Sequence, residues 1–197
     1  MNASIEIVFV RHGEGEHMLD LPRTLDMKHP RLTEQGRMQV GALRKIVQVT
    51  DHDLVVVSPT PRTIETARLL CGGAHPRRYA SPLVGPRMFP QDPRFRPLLC
   101  DDLLEPQTVS REFPEYLLFP ADTASELWLG INKIPALRFA EAATDLLLSC
   151  REAESPRVVI VSHDGTIHNY REFFGEVNLR RASFLGPAGC HTVRLPA

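Results

Sequence analysis

"IVFVRHGEGEHM", residues 7–18, runs from four apolar residues straight into arginine, histidine and glycine. A continuous apolar, β-branched run predicts a strand over Ile5–Val10 covered on both faces, as in a parallel sheet. Side chains alternate faces along a strand, so Arg11 and His12 in series suit a loop leaving its end. In open parallel sheets, the carboxyl ends of the strands are where ligands are held. The stretch therefore predicts an α/β fold, and it asks whether other strands deliver polar residues to the same edge.

Four further segments read as strands: "DLVVVS" (53–58), the weaker "RYASPLV" (78–84), "RVVIVS" (157–162) and the alternating, edge-like "CHTVRL" (190–195). Helical patterns lie between them. Thr33 is a candidate cap for a helix beginning at Glu34 within "EQGRMQVGALRKIV", and Pro61 suits the first turn of a helix reaching Leu70. "ELWLGINKIPALRFAEAATDLLLSCREAE" reads as one or two helices interrupted before Pro135, and "TIHNYREFFG" as a short amphipathic helix stopped by Gly175. Strand–helix alternation implies right-handed parallel crossovers. The expectation is one domain over residues 1–197, an α/β three-layer sandwich whose mostly parallel central sheet has helices on both faces. Residues 85–121 are rich in Pro and Arg and lack a period. They read as a long insertion over the carboxyl edge of the sheet, and long insertions there are usually functional.

Composition excludes several classes. With 23 basic and 24 acidic residues the formal net charge is −1, which gives no global attraction for nucleic acid or a membrane surface. No apolar run approaches the roughly 18 residues of a membrane span. Cys71, Cys100, Cys150 and Cys190 are scattered, without a C-x-x-C pair for zinc or redox chemistry. No basic segment leads into an apolar, cleavable run at the start. A cytoplasmic protein with reduced thiols is expected.

Three polar clusters follow three predicted strands: Arg11-His12-Gly13, then "SPTPRTIETA" with Arg62, then Ser162-His163-Asp164-Gly165. Taken singly, a histidine at a strand end is ordinarily a hydrogen-bonded residue, and Arg62 on a first helical turn a solvated charge. Their coincidence at corresponding strand ends points to a phosphoryl group. Arginine presents paired donors in a fixed plane and keeps its charge, so two of them suit nonbridging oxygens and the charge of a transition state. A neutral imidazole can attack phosphorus, and a second can donate to the same oxygens. An acid must then protonate the leaving oxygen.

"VFVRHGEGEH" (8–17), "SPTPRTIETARLL" (58–70) and "VIVSHDGTI" (159–167) resemble the three signature segments of the histidine phosphatase superfamily, and "RLTEQGRMQVGAL" (31–43) resembles its first-helix segment. The segments occur in the family's order and cover most of the chain. The resemblance implies a phosphoglycerate mutase-like fold and metal-independent phosphomonoester hydrolysis without a cofactor. It implies His12 as the phosphorylated nucleophile, with Arg11, Arg62 and His163 around the phosphoryl group. Gly13, Glu14, His17 and Arg87 are the candidate substrate-binding residues. His17, "LLCDD" (98–102), "FPEY" (113–116) and Trp128 resemble a plant and fungal branch.

Two positions depart from the family pattern. Met18 stands where asparagine is frequent. "SPLVGPRMFP" (81–90) has no glutamate where the proton donor is usual. Asp101, Asp102 or Glu105 of the insertion are the substitutes to consider, and Arg87 is a candidate for a second anionic group.

A phosphoglycerate mutase-type transfer and a non-catalytic phosphate-binding or scaffold protein are the rival readings. The retained nucleophile disfavours the second. A metal site from His12, Glu14, Glu16 and His17 lacks the H-E-x-x-H spacing. Gly13-x-Gly15 lacks the third glycine of a dinucleotide loop, and contiguous Ser162, His163 and Asp164 do not build a triad. The expected substrate is a small phosphoester or a phosphopeptide.

Overall fold

A computed structural model describes residues 4–92, 94, 96–119 and 125–196. Residues 93, 95, 120 and 121 of the expected insertion lie outside the described residues. In chain order the strands are β1 (Ile5–Arg11), β2 (Leu54–Val57), β3 (Arg77–Ala80), β4 (Leu117–Leu118), β5 (Arg157–Ser162) and β6 (Cys190–Leu195). The helices are α1 (Glu34–Leu43), α2 (Pro61–Cys71), α3 (Pro106–Glu112), α4 (Ala136–Glu152) and α5 (Asp164–Phe173). The strands form one sheet in the order β4-β3-β2-β5-β1-β6. Every neighbouring pair is parallel except β1 with β6.

The period-2 alternation of the central strands divides their side chains between two cores. Val8, Val10, Val55, Val57, Val159 and Val161 face α1 and α2, meeting Val40, Leu43, Ile64 and Leu70. Ile7, Phe9, Leu54, Val56, Val158 and Ile160 face α4 and α5, meeting Phe139, Leu146, Ile167 and Tyr170. Both faces are therefore covered, which explains the unbroken apolar runs, and the three-layer α/β sandwich is the fold. Each fully buried aliphatic or aromatic side chain here contributes about 1.5–3 kcal/mol relative to exposure.

Local signals set the helix starts. The Thr33 side chain accepts from Gly36 N at 2.9 Å and caps α1. Pro61 opens α2, where its missing N–H is not needed. Gly72, at φ 57°, closes α2 in the left-handed region that glycine adopts without strain.

Several expectations need correction. The third strand stops at Ala80, because Pro82 cannot donate to a ladder and Pro82–Val84 form a 3₁₀ turn. The first helix ends at Leu43 rather than continuing to Val47. The last one begins at Asp164, before Gly165. The expected interruption before Pro135 is present, with a 3₁₀ turn (Ser125–Leu129) on one side and α4, capped by Pro135, on the other. The insertion is more ordered than its sequence indicates. It holds a 3₁₀ turn at Leu99–Asp101 and α3, and it supplies β4, the strand that pairs with β3 at the sheet edge. Its short elements are fixed by contacts with the rest of the fold, among them Leu104 N donating to Pro59 O at 2.8 Å.

Candidate active site

The carboxyl ends of β1, β2 and β5 are neighbours in the sheet, so the residues following them converge. Arg11 sits opposite Ser162 in the β1–β5 ladder, and His12 N continues it by donating to Ser162 O at 3.1 Å. Arg11, His12, Arg62, His163 and Asp101 line one cavity of about 420 Å³, with His17, Arg87 and Asp164 also in its wall.

Arg62 is the hub. Its side chain is 1% exposed, although it stands on the first turn of a helix. Its Nε donates to His12 Nε2 at 3.3 Å, and Nη2 donates to His163 Nδ1 at 3.3 Å and reaches Asp101 Oδ1 at 3.5 Å. Its Nη1 donates to Cys100 O at 2.6 Å. One guanidinium thus touches both imidazoles and the insertion.

Guanidinium nitrogens only donate, so these contacts fix the histidine tautomers. His12 must present a lone pair at Nε2, with its proton on Nδ1, which donates to Gly13 O at 2.7 Å. His163 must present its lone pair at Nδ1, with the Nε2 proton directed to Ser58 Oγ at 2.9 Å. Burial, reinforced by Arg62, holds the pKa of both rings well below the ordinary histidine value, so both are neutral at pH 7. His17 packs 5.6 Å from the His12 ring, centroid to centroid. Burial and the two arginines lower its pKa to about 3, and its Nδ1 is buried without a hydrogen-bond partner among the described residues.

Arg11 is oriented from two sides. One terminal nitrogen pairs with Asp164 Oδ2 at 2.9 Å and the other donates to Leu185 O at 2.5 Å. Its Nε is buried with no partner among the described residues. Arg87 is buried, and burial lowers its pKa to about 10, which leaves it charged at pH 7. It donates to Asn169 Oδ1 at 3.1 Å and to the carbonyls of Ile131 and Ile134, and it stacks over Phe139. Gly165 admits the Arg87 backbone, since a Cβ there would lie 2.3 Å from Arg87 O.

The three candidate acids separate. Asp101 lines the cavity, is a quarter exposed, and has its carboxyl pKa raised by burial against the opposing pull of Arg62. Asp102 turns away to pair with Lys28 at 3.6 Å. Glu105 is exposed at the start of α3, in a neighbouring depression that also holds Asp102 and Trp128.

Two expected substrate-binding residues are not brought to the cavity. Gly13 N donates to Thr66 Oγ1 at 3.2 Å, and a Cβ on Gly13 would stand 2.6 Å from Gly36 O, so this glycine lets β1 approach α1. The Glu14 carboxylate accepts from Thr33 Oγ1 at 2.7 Å and braces the start of α1. Sequence reasoning missed Ser58, which orients His163, Asp164 as the partner of Arg11, and Arg181 on the cavity wall. Ser58 had a signal, its place at the end of β2. Among the described residues, no three His, Cys, Asp or Glu side chains group as they would around a metal ion. The four cysteines are free, and no described helix is long and apolar enough to cross a membrane.

Residues 7–81 match the model of the histidine phosphatase superfamily (branch 1). The fold is shared with an ecdysone phosphate phosphatase from Bombix mori solved with tungstate, at 14% identity and TM-score 0.60, covering 95% of this chain and 88% of that one. It is shared with a phosphoserine phosphatase from Entamoeba histolytica solved with phosphoserine, at 18% identity and TM-score 0.58, covering 95% and 89%. A mycobacterial glucosyl-3-phosphoglycerate phosphatase is similar at 18% identity and TM-score 0.56, covering 95% and 91%. No curated protein matches the sequence significantly. The first part of the chain is thus similar to the histidine phosphatase superfamily, and the whole chain shares the phosphoglycerate mutase-like fold of these solved structures. The expected likeness to the plant and fungal branch is not supported by these matches.

Proposed function

We propose that this protein is a metal-independent phosphomonoesterase that works through a phosphohistidine at His12, with Asp101 as its proton donor. The observation that carries the reading is the single buried guanidinium of Arg62 in contact with His12, His163 and Asp101. A phosphoryl dianion entering the cavity takes over the donors of Arg62 and Arg11 and frees the Nε2 lone pair of His12. Attack by Nε2 forms the N–P bond as the bond from phosphorus to the leaving oxygen breaks. Asp101 gives its proton to that oxygen, and the alcohol departs. Water then attacks phosphorus, its proton passes to the Asp101 carboxylate, and inorganic phosphate leaves with His12 restored. Arg11, Arg62 and His163 stabilise the charge spread over the nonbridging oxygens in both steps. The raised Asp101 pKa suits this use, because a donor must hold its proton closer to neutral pH than an ordinary carboxyl does.

The experiment is a rapid-quench reaction of wild type and His12→Ala with 4-nitrophenyl phosphate in the presence of a chelator, read by intact mass without exposure to acid. One added phosphoryl group on wild type alone, with turnover, is expected. Turnover without His12 would overturn the mechanism. Neither turnover nor a phosphoenzyme would leave a phosphate-binding protein.

A further inference from the structure

We infer that Arg181 is a specificity-determining residue that holds a second anionic group, a carboxylate or a phosphate, on the leaving alcohol of the substrate. The inference rests on the phosphatase reading and extends it to a substrate class.

Arg181 begins a 3₁₀ turn, Arg181–Ser183, between α5 and β6, and it lines the same cavity as His12. The turn is closed by Arg180 N donating to Ser183 Oγ at 3.2 Å and by Ser183 Oγ donating to Arg180 O at 2.6 Å. Behind it, Phe184 packs edge-on against His168 at 4.5 Å, and His168 lies 5.4 Å from Phe89. Arg181 Nε donates to Phe89 O at 3.2 Å, which aims the guanidinium along the wall. Arg181 is exposed, but this hydrogen bond restrains its side chain, and a preorganised side chain loses less entropy on binding.

The four arginines of the cavity differ in what they already hold. Arg11 has Asp164, Arg62 has Asp101, and Arg87 spends its donors on Asn169 and two carbonyls. Arg181 has no carboxylate within ion-pair distance among the described residues, and its two terminal nitrogens face no protein acceptor there. The net charge of the cavity also calls for a second anion. Four arginines and two aspartates line the cavity, and the histidines are neutral. With Asp101 protonated, as its donor role requires, a phosphoryl dianion leaves one positive charge unanswered. A second anion on the leaving group answers it. Leu21, Leu25 and Leu98 add apolar surface to the same cavity for a carbon body, and about 420 Å³ accommodates a small molecule.

The test is calorimetric binding of three non-hydrolysable probes, benzylphosphonate, 4-carboxybenzylphosphonate and 1,4-xylylenediphosphonate, to wild type, Arg181→Gln and Arg181→Lys. Wild type should bind one or both doubly anionic probes roughly tenfold more tightly than benzylphosphonate, the gain of one charge-assisted hydrogen-bonded pair. Which probe gains separates a carboxylate from a second phosphate. Arg181→Gln should bring the ratio within about twofold of one, and Arg181→Lys should keep part of it. Equal affinities in wild type, or an undiminished ratio in Arg181→Gln, would overturn the inference. Turnover of phenyl phosphate is followed in parallel. Discrimination without turnover sinks the hydrolase reading and keeps Arg181. Turnover without discrimination does the reverse, and no binding of any probe overturns both.

Discussion

Arg11, His12, Arg62 and His163 stand at the ends of three adjacent strands whose ladders run in register, Arg11 opposite Ser162 and Val57 opposite Val161. Asp101 arrives differently, on a 3₁₀ turn held to that frame by Cys100 O accepting from Arg62 and by Leu104 N donating to Pro59 O. In the proposed mechanism the first set binds phosphate, where small errors of position are costly, and it is built on the central strands of the sheet. The proposed acid acts only at the leaving oxygen, whose position varies with the substrate, and a loop suffices for that. If this contrast is right, damage to the sheet-edge group should affect every substrate, and damage to the loop should depend on the leaving group.

The largest effect is expected from His12→Ala: a loss of at least roughly a thousandfold in kcat, as for removal of a nucleophile, with circular dichroism and thermal midpoint little changed. Arg62→Ala should lower kcat/KM by roughly a hundredfold or more on all phosphomonoesters, by analogy with removal of an oxyanion donor. A loss under about twofold would place Arg62 outside the reaction on the same criterion. Asp101→Asn sharpens the contrast. Hydrolysis of alkyl phosphates should fall by roughly a hundredfold and that of 4-nitrophenyl phosphate by less than about fivefold, because only the poor leaving group needs the proton. Equal losses on the two substrates would put Asp101 in the phosphate cradle instead.

Smaller effects concern stability. Burial holds His12, His17 and His163 below the ordinary value of 6.5, so below that pH the unfolded chain binds more protons than the folded one. Stability should be fully present above about pH 6.5 and decline as pH falls toward about 3, the folded value for His17. Asp101, with its raised pKa, works in the opposite direction. Differential scanning calorimetry from pH 7 to pH 4 should show a falling midpoint, and His17→Gln should flatten the fall. Gly13→Ala, with no acid or base altered, should cost about 1–3 kcal/mol in chemical denaturation by driving a methyl group against Gly36 O.

What the sequence disclosed follows the same division. The apolar runs at residues 7, 54 and 158 are decided by burial on both faces, and the polar residues that end them are placed by the chain alone. Arg62 shows the limit of that reasoning. A first-turn arginine reads as solvated, and only the convergence of β1 and β5 with Cys100 from the insertion buries it. Residues 85–119 carry no period because their elements are too short to have one. β4 has two residues, and its pairing with β3 rests on tertiary contacts. Gly13 and Glu14 were drawn into the site by their place beside His12, whereas the backbone turn points one at α1 and the other at Thr33. Arg181 gave no signal, since a loop arginine is aimed by a single carbonyl far away in the chain.

The segment before β6 also sets an order of assembly. Leu185 O holds the Arg11 side chain, Ala188 N donates to His12 O at 3.0 Å, and Arg11 N donates to Gly189 O at 2.9 Å. During synthesis His12 leaves the ribosome some 170 residues ahead of the segment that bonds its backbone on this side. The nascent chain can thus build both cores around β1, β2 and β5 while the end of β1 is still unfastened on this side, and the cavity wall is completed only by the return of the last segment.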